Sequence, residues 1–257
     1  MIIGEDFLAR RYPNKKVLGM RLAARAGDFS ADLAEQRRSH VPGLLDHESA
    51  LQLHECLAGQ QQWNLVFNRD GEHVDIGADS IGLWDDSQRR QFDDIVFRQA
   101  RNDFQYLYKA VPVYDIYHGG LLPGHFFNTL FEFLNSEAFI SFARELLGRP
   151  DIGFCDAQAT CFEAGHFLTT HDDATAGKNR VAAYVINMTH EWNPNWGGAL
   201  QFFDDEGNIQ LGFTPSFNAL NVFLIPQRHA VEYVTPFAAG SRLSITGWFR
   251  TGSDPGV

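Results

Sequence analysis

Apolar residues along this chain recur first at helical and then at strand spacing, and the change falls about halfway. From Asp46, a residue suited to capping a helix, Ala50, Leu53 and Leu57 mark one helical face. A longer helix is expected from Ser87, with Phe92, Ile95, Val96, Ala100, Phe104 and Leu107 on one stripe and charges opposite. Between these, segments 63–67 and 73–76 flank Asp70-Gly71, the turn signal of a β-hairpin. Two further helices are expected, one over 125–134 and one capped by Ser136 and closed by Gly148.

Beyond Pro150 the pattern becomes short strands at 152–162, 181–188, 200–203, 209–213, 220–225, 230–234 and 241–249. Many short strands broken by Gly, Asn and Pro are the signature of a sandwich or jelly roll. A helix-rich half beside a strand-rich half gives an α+β class in which N-terminal helices brace one sheet. No repeat or flexible linker separates the halves. The chain therefore reads as a single domain, 1–257, with a helical and hairpin N-terminal part, 1–120, and a part carrying the strands, 121–250.

Composition adds exclusions. The formal net charge of −11 over 257 residues argues against a nucleic-acid binder, which needs a basic face, and leaves room for a basic partner. Cys56, Cys155 and Cys161 are too few and scattered for a disulfide framework or zinc knuckle. The stretch Met1-Ile2-Ile3-Gly4-Glu5-Asp6 lacks a basic-then-apolar leader, and no apolar run approaches ~20 residues, so a cytoplasmic protein without a membrane partner is expected. Nucleophile-elbow, P-loop and dinucleotide-binding motifs are all missing from the sequence. The excess of Phe (22) over Tyr (7) suits an aromatic core or a dry pocket.

The segment Thr170-His171-Asp172-Asp173 carries candidate chemistry. At a strand end, residues i and i+2 share a face, so His171 and Asp173 can reach one ion while Asp172 points away. His229, 58 residues on and opening another strand, can supply a third ligand. Two imidazoles and a carboxylate on one side of an ion form the facial triad of non-haem Fe(II) oxygenases, though zinc accepts the same ligands. Further on, Arg242, Ser244, Thr246 and Trp248 share one face of a strand while Leu243, Ile245 and Phe249 share the other. An arginine on an inward face needs an anion, which is either an Asp within the fold or a bound carboxylate.

The order His-x-Asp, His, Arg-x-Ser, with the Trp-x4-Gly-Gly step from Trp192 to Gly198, resembles the 2-oxoglutarate- and Fe(II)-dependent oxygenases of the prolyl 4-hydroxylase type. Within these it is most similar to the subgroup that hydroxylates a ribosomal-protein proline. The resemblance covers about 120–250. It implies a double-stranded β-helix (jelly-roll) core, Fe(II) on His171, Asp173 and His229, and 2-oxoglutarate on the iron with its distal carboxylate at Arg242 and Ser244 beside it. It implies O2 as oxidant, ascorbate as a candidate reductant, and hydroxylation of a prolyl or similar residue in a protein or peptide. The alternatives are the same chemistry on a free amino acid or other small molecule, and a non-catalytic jelly-roll metal-binding module.

Where many relatives place co-substrate tyrosines, this chain has Phe162 and Asn187; the Asn187 amide is a candidate substitute. Arg180 and Trp248 are candidates for the substrate pocket, with Trp248 equally able to serve the core. His166 and His190 read as core or solvated histidines. Oligomeric state is left open.

Overall fold

Strict alternation along the last long strand organises the molecule. Leu243, Ile245 and Phe249 enter the core under the helices, while Arg242, Thr246 and Trp248 face a cavity on the other side, as the period-2 pattern requires. The computed structural model describes residues 19–256; the N-terminal Met1–Asp6 stretch discussed above lies outside them.

Thirteen strands form one antiparallel sheet folded on itself. They are β1 (Arg38–Pro42), β2 (Asn64–Arg69), β3 (Glu72–Ile76), β4 (Tyr106–Val111), β5 (Ile152–Cys155), β6 (Gln158–Phe162) and β7 (Phe167–His171). After them come β8 (Arg180–Met188), β9 (Leu200–Phe203), β10 (Ile209–Phe213), β11 (Phe217–Leu224), β12 (His229–Val231) and β13 (Arg242–Thr251). The lateral order is β1-β11-β8-β13-β6-β4-β7-β12-β9-β10, with β5 also on β13 and the β2–β3 hairpin branching from β4. The result is a jelly-roll double-stranded β-helix. Helices Phe126–Leu134 and Glu137–Leu147 cover the outer face of the sheet through Phe126, Phe127, Leu130 and Phe139, with Ala182, Tyr184 and Ile186 of β8 beneath them.

Most local signals work as expected. The Asp46 side chain accepts from the Ser49 N–H and opens His47–Ala58. Asp70 and Gly71 both take positive φ (56° and 89°), the twist a two-residue hairpin turn demands. Ser136 caps its helix and Gly148, at φ 59°, closes it.

Three expectations change. The long helix runs Asp86–Ala100 with a capping box between Asp85 and Gln88, and stops before Phe104 and Leu107. Leu107 belongs instead to β4, where Tyr106, Tyr108 and Ala110 alternate with it across the two faces. Segment 152–162 is two strands, interrupted at Asp156 and Ala157, where the Asp156 side chain, in place of a backbone carbonyl, accepts the Trp248 N–H at 2.8 Å and pairs with Arg250. β1 and β4 are strands contributed by the helical half, and β4 joins the two sheets of the barrel through β6 on one segment and β7 on the other.

The β13–β5/β6 seam is tight at Gly247, where an added Cβ would lie 2.0 Å from the Asp156 carbonyl oxygen. Gly247→Ala is therefore expected to destabilise the fold by about 2–3 kcal/mol, seen as a lower melting temperature with or without metal. A melting curve identical to the wild type would contradict this packing.

Candidate functional site

β7 and β12 lie antiparallel with His171 opposite His229, which closes the 58-residue gap between them. Asp173, two residues beyond His171, adopts the left-handed conformation (φ 64°), one that Asp tolerates better than most residues. Its two carboxylate oxygens then sit 3.4 Å from His171 Nε2 and 3.4 Å from His229 Nε2. One ligand atom from each residue falls within 4.8 Å of the others, which makes this the single such group among the described residues. Asp172 turns outward as alternation requires, accepting the Ala174 N–H.

The imidazoles are oriented for a cation. His171 Nδ1 lies 3.0 Å from the Thr169 carbonyl and His229 Nδ1 2.8 Å from that of Gln227, so each Nδ1–H donates to backbone and each Nε2 lone pair is presented to Asp173. Burial, then the facing His171, push His229 down to about 4, which keeps it neutral and able to ligate. Burial alone would raise the Asp173 pKa; the positive charge that the facing His171 and His229 imidazoles carry when protonated outweighs it and holds the carboxyl below its usual range.

The three side chains border a cavity of about 520 Å³. At its inner end lies Arg242, only 1% exposed. Its guanidinium stands 5.1 Å over the Phe162 ring, and its Nε has no hydrogen-bond partner. Among the described residues no carboxylate pairs with it. The internal Asp–Arg pair of this strand is Arg250 with Asp156. Burial pushes Arg242 down to about 10, so it remains charged at neutral pH, an unpaired buried cation facing a cavity.

Ser244 is fully buried and its Oγ bonds Thr160 Oγ1 at 2.8 Å; Thr160, not Ser244, lines the cavity. Asn187 sits opposite Ser244 in the ladder but outside the lining, with Nδ2 near the Val185 and Ala219 carbonyls. Trp248 does line the cavity, and Arg180 stacks on it, guanidinium 3.5 Å from the ring, while donating to the Asp173 carbonyl and Thr175 Oγ1. His73, Phe104, Tyr106 and Tyr108 form a wall that sequence reading missed. Its signal was the alternation Tyr106-x-Tyr108-x-Ala110, hidden because Leu107 also fits a helical stripe. Trp192 and Trp196 pack edge to face, with Trp192 Nε1 donating to the Gly197 carbonyl.

His190 is exposed and stacks on Phe217, while His166 is a buried histidine whose Nδ1 accepts the Glu163 N–H. Burial lowers His166 from 6.5 to about 4. The unfolded chain therefore takes up this proton first, and stability should fall as pH drops from about 6.5 toward about 4, by up to ~3 kcal/mol. Denaturant titrations of wild type and His166→Gln should diverge within that window; parallel pH profiles would refute the assignment.

Residues 157–250 match the family model described as the 2OG-Fe(II) oxygenase superfamily. That segment, a little over a third of the chain, carries His171, Asp173, His229 and Arg242. The oxygenase has the fold of a Pseudomonas putida prolyl-4-hydroxylase (TM-score 0.53, 19% identity, 89% of this chain and 100% of that one). A Burkholderia pseudomallei oxidoreductase of the 2OG-Fe(II) oxygenase family is similar too (TM-score 0.58, 16% identity, 91% and 95% covered). A prolyl 4-hydroxylase from Phytophthora capsici matches at TM-score 0.52 and 15% identity over 98% of this chain and 67% of that one. No curated protein matches the sequence. The oxygenase is a dioxygenase that uses Fe(II), 2-oxoglutarate and O2. No helix among its described residues is long and apolar enough to cross a membrane.

Proposed function

We propose that the oxygenase hydroxylates a prolyl or similar residue of a protein or peptide, with His171, Asp173 and His229 holding Fe(II) and Arg242 receiving the distal carboxylate of 2-oxoglutarate. The observation that carries this is Arg242, a buried cation without a partner at the far end of a cavity that begins at two imidazoles and a carboxylate. The donor set suits Fe(II), and the orphaned guanidinium suits a dicarboxylate. When bound, iron with 2-oxoglutarate and O2 supplies the oxidation, coupling decarboxylation to succinate with insertion of oxygen into a substrate C–H bond.

The chain's own residues arrange this chemistry. The Thr169 and Gln227 carbonyls fix the imidazole tautomers, and Phe162, Val185, Leu200 and Phe223 keep the cavity apolar around the reacting centre. Arg180, anchored on Trp248 and the Asp173 carbonyl, lines the cavity beside the metal ligands and brings its guanidinium to a carbonyl of the substrate. A compact apolar ring without an N–H suits the aromatic wall of His73, Phe104 and Tyr106. The prolyl 4-hydroxylases among the structural neighbours support this choice of substrate.

The test is mass spectrometry of the host proteome with and without the oxygenase, together with succinate measurement. A gain of one oxygen on a proline, with matched succinate, is expected. Oxygen gained only by a free amino acid or metabolite would replace the peptide reading, and no 2-oxoglutarate turnover with any substrate would end it.

A further inference from the structure

The two positions where the resemblance would place co-substrate tyrosines give Arg242 no neighbouring donor, since Phe162 has none and Asn187 lies outside the cavity. β4 brings one in. Lys109 and Ala110 pair with Cys161 and Thr160, so Tyr108 comes beside Phe162, and the two rings stack at 4.8 Å and 12°. The Arg242 guanidinium borders the same Phe162 ring at 5.1 Å. Tyr108 is buried and lines the cavity.

Its hydrogen bonding is half complete. Gln158 Nε2 donates to the Tyr108 Oη at 3.3 Å, which uses a lone pair and leaves the phenolic proton free. No described residue accepts that proton. Burial raises the Tyr108 pKa, so the proton stays in place at neutral pH. A buried donor without an acceptor costs free energy, and an anion in the cavity would remove that cost.

We propose that Tyr108 donates its hydroxyl to the carboxylate that Arg242 binds, so that phenol and guanidinium grip the distal end of 2-oxoglutarate from β4 and β13 with Phe162 as the apolar floor between them. This rests on the reading of Arg242 given above. The donor comes from a strand outside the matched segment 157–250, so the missing tyrosine is replaced in space and not in sequence.

Calorimetric titration of the Mn(II)-loaded, full-length protein separates the two claims. The probes are 2-oxoglutarate and 2-oxobutyrate, which keeps the chelating end but lacks the distal carboxylate. Tyr108→Phe, which keeps the ring on Phe162, should weaken 2-oxoglutarate roughly tenfold or more and leave 2-oxobutyrate unchanged. Wild-type affinity for 2-oxoglutarate in Tyr108→Phe, while Arg242→Met has lost it, would overturn the role of Tyr108 alone. An equal loss for both probes would also overturn it, because the hydroxyl would then serve the chelating end. If Arg242→Met binds 2-oxoglutarate as the wild type does, the reading of Arg242 itself fails.

Discussion

Asp173→Ala is expected to lose more than roughly 100-fold in 2-oxoglutarate-dependent succinate formation, and to lose Fe(II) affinity with it. Removing an outer partner of a metal ligand costs roughly 10–100-fold, so removing a ligand should cost more. Asp173 faces both imidazoles at 3.4 Å and is the only carboxylate that does so among the described residues. Without it, two neutral imidazoles remain, with no negative charge to offset the divalent ion. His171→Ala should behave similarly. The fold should survive, because the backbone bonds that orient His171 and His229 do not involve Asp173. Turnover equal to wild type in either variant would place the metal elsewhere.

Arg242→Met should act in opposite directions on binding and stability. Truncating one side of a buried charge pair costs roughly 2–5 kcal/mol, about 30- to several-thousandfold in the dissociation constant of 2-oxoglutarate. Yet in the ligand-free protein Arg242 is a buried cation without a partner, so an apolar residue of similar volume should leave stability unchanged or raise it by ~1–4 kcal/mol. Melting curves check both. Wild type should gain melting temperature when Mn(II) and 2-oxoglutarate are added, whereas the variant starts as high or higher and gains little from the 2-oxo acid. A variant that is destabilised without ligand would mean that an internal anion does pair with Arg242.

Local chemistry was legible wherever it depends on near neighbours. Asp46 and Ser136 cap the helices their positions announce, Asp70-Gly71 makes its hairpin, and the alternation of Arg242, Thr246 and Trp248 against Leu243, Ile245 and Phe249 holds through β13. The His-x-Asp spacing works for the same reason, since two residues span one pleat repeat and the Asp173 turn completes the approach. Competing periods blurred the rest. Leu107 satisfies both a helical stripe and a strand face, and only the pairing of β4 with β2, β6 and β7 chooses between them.

The sequence by itself determined which residues could do chemistry here: two histidines and an aspartate at strand ends, and an arginine on an inward face. Tertiary structure decided which partners they have. Arg242 and Arg250 lie on one strand and are equally charged, yet Asp156 meets Arg250 and leaves Arg242 bare, because the register sets Arg250 opposite Phe154, two residues from Asp156, and Arg242 opposite Phe162. Tyr108 enters the site only because β4 lies between β6 and β7, tens of residues away along the chain. Periodicity encodes the face on which a side chain lies, but the strand beside it is set by long-range pairing that no local pattern records.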